Sequence, residues 1–147
     1  MKLINRDADY ALKALLTVAG RRGEVTTVSD LTRVLGIPRP YLRKIMQRLA
    51  GGGVVRSFKG RGGGFLLSRP AGKIAAAEVM RIFQGDVVLH DCLFKKAVCP
   101  DMSTCPLRLA IGRLERRLVN DLERLTIASI LKEQNGRGAA RKKGGSL

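Results

Sequence analysis

A mostly α-helical fold carrying one small β-hairpin is predicted by three features of this 147-residue sequence. Apolar residues recur at three- and four-residue steps in several stretches, as on one face of a helix. Two short helical stretches are separated by a tight turn, Gly36-Ile37-Pro38, and a glycine-rich turn then joins two β-prone runs. Helix, turn, helix and hairpin in that order make a winged helix-turn-helix, and a long amphipathic helix in the C-terminal half serves as a dimerisation helix.

The first helix is read over residues 7–19, where Ala8, Ala11, Leu12, Leu15, Leu16 and Ala19 form one stripe. Asn5 or Asp7 can cap its start, and Gly20 and Gly23 end it. Thr27-Val28-Ser29-Asp30 is an aspartate variant of the capping box and opens a second helix, Val28–Leu35, which stops at Gly36. Neither Pro38 nor Pro40 fits a helix interior, but Pro40 suits the first turn of a third helix over Tyr41–Ala50. Its inner stripe is Leu42, Ile45, Met46 and Leu49. Gly51, Gly52 and Gly53 end it. Val54–Phe58 and Phe65–Ser68 are the hairpin strands around the turn Lys59–Gly64, with Lys59 and Arg61 at the tip. A phosphate-cradling P-loop is excluded there, because Phe65-Leu66-Leu67 follows where Gly-Lys-Ser/Thr opening a helix is required.

Lys73–Phe83 reads as an amphipathic helix packed on the winged domain. Leu107–Leu125 reads as a long helix with a narrow apolar seam of Leu107, Ile111, Leu114, Leu118, Leu122 and Leu125 between charged faces, which points to a two-helix interface in a homodimer. Thr126 starts a last short helix. The organisation expected is a DNA-binding winged helix-turn-helix over 1–72, a connecting helix over 73–85, a cysteine loop over 86–106, dimerisation and short C-terminal helices over 107–135, and a basic disordered tail over 136–147.

The chain carries 28 basic and 12 acidic residues, a net charge of +16, of which +10 falls in residues 1–72. Such an excess calls for a polyanionic partner. Aromatic residues make up only 4% of the chain and tryptophan is absent, which argues against base stacking on single strands and for duplex DNA. With its apolar stripe turned inward, the third helix shows Arg39, Tyr41, Arg43, Lys44, Gln47 and Arg48. Residues at the start of a recognition helix reach base edges, so Arg39, Tyr41, Arg43 and Lys44 are the candidates for reading sequence. Arg48 and Arg56 are expected to hold the phosphate backbone, and Lys59 and Arg61 to reach a neighbouring groove or phosphate from the wing. No signal peptide or membrane-spanning run is visible, so a soluble, cytoplasmic protein with no membrane partner is expected. With one histidine and no base–nucleophile pair, an enzyme is not expected.

Cys92, Cys99 and Cys105 fall within fourteen residues of one loop. Three thiols so close in a reducing compartment suggest metal or redox chemistry rather than a disulfide framework. They leave one position on a zinc ion or an iron–sulfur cluster to be filled.

Asp9-Tyr10-Ala11-Leu12, Gly36-Ile37-Pro38 with Tyr41-Leu42, Arg61-Gly62-Gly63-Gly64-Phe65 and the cysteine triplet, in this order over residues 1 to about 133, resemble the Rrf-type bacterial regulators, among them IscR- and NsrR-like iron–sulfur regulators. The resemblance implies homodimers on near-palindromic double-stranded operators. It also implies a 4Fe–4S or 2Fe–2S cluster on Cys92, Cys99 and Cys105 whose state sets DNA affinity. IscR-like members take a fourth ligand from a histidine three residues after the last cysteine, where this chain has Arg108. NsrR-like members take an acidic residue early in the first helix of the other subunit, a place held here by Asp9, with Asp7 and the local His90 as further candidates. The function expected is a sequence-specific regulator, a repressor in its simplest form, responding to nitric oxide, redox state or iron and cluster supply. Alternatives are a cluster-free thiol- or effector-responsive regulator of the same fold, a zinc-stabilised architectural DNA binder and a small iron–sulfur electron carrier, the last leaving the basic helix-turn-helix without a purpose.

Overall fold

The computed structural model of the protein describes residues 2–89 and 104–143, with side chains through residue 138. Its elements are helices α1 (Arg6–Gly20), α2 (Val28–Leu35) and α3 (Arg39–Gly51), strands β1 (Val55–Phe58) and β2 (Gly64–Leu67), a 3-10 turn (Ala71–Lys73), and helices α4 (Ala76–Gln84), α5 (Pro106–Arg124) and α6 (Ile127–Lys143). Among the described residues, six helices and one two-stranded antiparallel sheet make the mostly α winged helix that the sequence predicts. Among the described residues, no helix is long and apolar enough to cross a membrane.

The helix starts follow from local chemistry. The Asn5 side chain, rather than Asp7, caps α1 by accepting from the Ala8 N–H at 2.8 Å. Thr27 and Asp30 close a reciprocal capping box on α2: the Thr27 hydroxyl accepts from Asp30 N, and the Asp30 carboxylate accepts from Thr27 N. In α3, Pro40 lies in the first turn, where its missing N–H costs nothing. Leu42, Ile45, Met46 and Leu49 are all buried, so the outward face of this helix is the one the pattern assigns.

The hairpin pairs Val55 with Leu67 through Phe58 with Gly64. It is also tied back to the segment before α2. Thr26 and Phe65 exchange backbone hydrogen bonds at 3.0 and 2.8 Å, a bridge that fixes the wing against the helical domain. A β-carbon at Gly64 would stand 2.6 Å from the Thr26 carbonyl oxygen and 2.7 Å from Val25 Cγ1, so glycine is what allows this approach.

Two expectations about the C-terminal half are corrected. The connecting helix begins at Ala76, not Lys73, because residues 71–73 take a 3-10 turn after Pro70. The last helix is not short: α6 runs to Lys143, through the stretch from Gly136 read as a disordered tail. Gly136 and Gly138 each cost about 1 kcal/mol in a helix. A helix already nucleated and docked absorbs that, and Ala139, Ala140, Arg141, Lys142 and Lys143 are favourable for its continuation.

That docking joins the two halves of the chain. Ile127 N donates to the Ile74 carbonyl at 2.9 Å and Ala76 N to the Leu125 carbonyl at 2.7 Å, so the α5–α6 turn is stitched to the start of α4. Ile74, Ile127 and Leu122 belong to the same buried cluster as the α1 and α3 stripes. The α5 seam is not uniform. Leu122 is buried against α4, whereas Leu107 and Leu114 remain 63% and 56% exposed within one chain.

Candidate nucleic-acid interface

Six basic side chains are committed to acids. Lys13, Arg21, Arg33, Arg48, Arg69 and Arg81 each lie within ion-pair distance of an acid: Asp9, Asp30, Asp30, Asp7, Glu78 and Asp86 respectively. Among the described residues no acid pairs with Arg39, Arg43 or Lys44 on α3, nor with Arg56, Lys59 or Arg61 on the wing. All six are exposed. Six exposed cations without an acidic partner therefore lie on the start of α3 and on the hairpin, the two parts of a winged helix that meet DNA. Phe58, 45% exposed, lies beside them on the wing.

Arg48 is placed differently from the expectation. Its guanidinium lies over the Phe83 ring, 4.5 Å from the centroid, and donates to the Ile82 carbonyl at 2.5 Å, both at the end of α4. Asp7 is 3.9 Å away. These contacts occupy Arg48 in holding α3 against α4 and α1. Tyr41 is likewise drawn inward. Its hydroxyl donates to the Asp7 carboxylate, and its ring meets Tyr10 edge-on with centroids 5.6 Å apart. The hydrogen bond to Asp7 holds the Tyr41 phenol above its ordinary pKa, with burial acting in the same direction. Tyr41 therefore remains a neutral donor that positions α3. Neither link was legible in the sequence, because both join residues more than thirty positions apart.

The first turn of α1 is tied to the end of α4 as well. Asn5 N donates to Gln84 Oε1, Asn5 Nδ2 to the Phe83 carbonyl, and Gln84 Nε2 to the Leu3 carbonyl. The end of α4 thus touches both the recognition helix and the helix behind it.

Of the candidate cluster ligands, Cys105 is half-buried at the residue preceding the first turn of α5. Asp9 is partly exposed and ion-paired with Lys13 at 2.7 Å. Asp7 is committed to Tyr41 and Arg48, which weakens it as a substitute. Cys92, Cys99 and His90 lie outside the described residues. Among the described residues, no group of three or more His, Cys, Asp or Glu side chains could hold a metal.

The fold is similar to those of several solved regulators. CymR of B. subtilis, described as the global cysteine regulator, matches with a TM-score of 0.75 and 22% identity, over 90% of this chain and 98% of its own. A transcriptional regulator from Listeria innocua matches at 0.77 and 23% over 90% and 87% of the two chains. T. potens IscR matches at 0.69 and 21% over 91% and 88%. The family model for Rrf2, described as an iron-dependent transcriptional regulator, matches residues 4–133. With its helix-turn-helix, its wing and a family match over nearly its whole length, this chain belongs to the Rrf2 family of winged-helix transcription regulators.

Proposed function

We propose that this protein is a homodimeric, sequence-specific regulator, acting as a repressor on near-palindromic operators, whose DNA affinity is set by an iron–sulfur cluster. The observation that carries the DNA-reading part is the set of unpaired cations on α3 and the wing. In a helix packed by Leu42, Ile45, Met46 and Leu49, Arg39, Arg43 and Lys44 face outward, and long basic side chains there match guanine O6 and N7. Arg56, Lys59 and Arg61 then contact phosphate or the adjacent groove. The exposed Leu107 and Leu114 on α5 support a partner helix along that seam. Two such domains in a dimer place their recognition helices about 34 Å apart, one turn of DNA.

Cys92, Cys99 and Cys105 are proposed to hold the cluster, with Asp9 of the partner subunit as the fourth ligand. Cys105 is a free, half-buried thiol at the start of α5, and Asp9 is accessible once it exchanges Lys13. When bound, the cluster supplies a centre that reacts with nitric oxide and oxidants. The protein's own residues supply the coupling. The end of α4 precedes the cysteine-bearing segment in the sequence, and Arg48 and Asn5 bind that end to α3 and α1. A displacement of α4 would thus be felt at the reading helix.

A second reading is a cluster-free regulator whose thiols sense oxidants or an effector. The likeness to CymR, described as a cysteine regulator, favours it, as does Arg108 where IscR-like members carry histidine. Anaerobic purification separates the two. The first reading predicts a brown protein with iron and sulfide, a cluster absorption lost on nitric oxide treatment, and a parallel change in operator affinity. Colourless protein that still responds to thiol oxidation supports the second. Cys99→Ala is expected to abolish the chromophore and leave the fold intact, and a full cluster in that variant would overturn the ligand assignment.

A further inference from the structure

A cleft of about 390 Å³ opens between the first turn of α1 and the start of α3, lined by Arg6, Tyr10, Ile37, Pro38, Pro40, Tyr41 and Lys44. Its walls are mostly apolar, but two cations stand at it from different helices. Arg6 is exposed and, among the described residues, has no acidic partner. The acids nearest it in sequence are engaged elsewhere, Asp7 with Tyr41 and Arg48, and Asp9 with Lys13. Lys44 is likewise exposed and unpaired among the described residues.

The position of Arg6 runs against local stability. It is the first residue of α1, at the positive end of the helix dipole, where the other charged residues of the turn, Asp7 and Asp9, are acidic. A cation there is unfavourable to the helix.

We propose that this cleft is a DNA-backbone subsite that takes one sugar–phosphate unit beside the major groove entered by α3. Arg6 and Lys44 hold the phosphate, and the apolar wall of Tyr10, Pro38 and Pro40 lies against the deoxyribose. The site is continuous with the unpaired cations Arg39 and Arg43, and its charge matches the polyanion that the rest of this face is built to meet. Tyr41, drawn back onto Asp7 and Tyr10, helps to shape the cleft. The subsite adds α1 to the contact surface and fixes the tilt of α3 in the groove, since a phosphate held between the two helices sets both at once. The inference rests on the DNA-reading function proposed above.

The test uses the full-length protein with a duplex of about three helical turns, ~30 base pairs, selected by the protein from a random pool, and a scrambled duplex of the same composition. Affinity is measured across a series of salt concentrations. Arg6→Ala is expected to weaken both duplexes by the same factor, roughly three- to tenfold. It should also lower the slope of log affinity against log salt by about one per protomer. Arg6→Lys should restore most of the slope, because a phosphate accepts a point charge. Thermal midpoint supplies an opposed readout: Arg6→Ala should leave it unchanged or raise it. An unchanged salt slope overturns the proposal. So does a loss confined to the selected duplex, which would make Arg6 a base reader, and so does a fall in midpoint that tracks the affinity loss. If Arg43→Ala impairs binding while Arg6→Ala does not, only the subsite fails. If the parent protein selects no duplex at all, the DNA-reading function fails with it.

Discussion

Gly64→Ala isolates the attachment of the wing. The new β-carbon would meet the Thr26 carbonyl oxygen at 2.6 Å and Val25 Cγ1 at 2.7 Å, short of an ordinary contact by roughly 0.8–1 Å. The first obstacle is backbone, so it cannot rotate away. The strand must retreat by about that amount, and the Thr26–Phe65 hydrogen bonds, now 3.0 and 2.8 Å, would stretch beyond bonding distance. Two backbone bonds contribute about 1–3 kcal/mol together. Partial withdrawal of the buried Phe65 ring adds roughly 1 kcal/mol. The sum, about 2–4 kcal/mol, corresponds to a fall in thermal midpoint of roughly 5–15 °C for a chain of this size. Gly62→Ala is the control. Gly62 also has positive φ, +73°, but a β-carbon there meets nothing within 4 Å, so only the left-handed penalty of about 1–2 kcal/mol applies. Urea denaturation followed by circular dichroism gives the two stabilities, and DNA titration shows whether the wing still contributes. A Gly64→Ala protein as stable as Gly62→Ala would refute the reasoning that backbone closeness at Thr26 holds the wing.

Arg48→Ala should cost about 1–2 kcal/mol in urea denaturation, because it removes a ring contact and a hydrogen bond to α4. Arg43→Ala should stay within about 0.5 kcal/mol of the parent, as for an exposed side chain without partners. The Asp30 carboxyl is held below the ordinary value of 3.8 by the Thr27 N–H and hydroxyl, against the opposing effect of burial and with further help from Arg21. Its depressed pKa means that its stabilising effect is complete above that ordinary value and is lost as pH falls below it through the folded-state pKa. Acid unfolding of Asp30→Asn should therefore lack this part of the pH dependence, which a series of thermal melts from neutral to strongly acidic buffer will show. Leu122→Ala, at a position 8% exposed between α5 and the core, is expected to lose roughly 2–4 kcal/mol. Leu114→Ala should instead leave monomer stability nearly unchanged and weaken self-association, measured by sedimentation.

The parts of the fold legible in the sequence are those specified by neighbours in the chain. Thr27 with Asp30, Pro40 in a first turn, Gly36 after Leu35 and the stripe Leu42–Leu49 each act within a few residues, and each stands where the pattern puts it. The extent of α6 was hidden because Gly136 and Gly138 carry the local signature of a helix stop, while the docking of Ile127 beneath Ile74 depends on residues fifty positions away. The site divides in the same way. Exposure of Arg39, Arg43 and Lys44 followed from periodicity, but the withdrawal of Arg48 onto Phe83 and of Tyr41 onto Asp7 is tertiary. So is the cleft that brings Arg6 beside Lys44. An arginine opening an otherwise acidic first helical turn was the one signal available in the sequence.

The DNA-reading role of α3 is tested most directly by the specificity ratio of Arg43→Ala, its affinity for a selected operator divided by that for scrambled duplex at one fixed salt concentration. Loss of a base contact predicts that the ratio falls by roughly ten- to a hundredfold, with scrambled-duplex binding nearly preserved. Equal weakening on both duplexes would contradict it and leave Arg43 as one more phosphate contact.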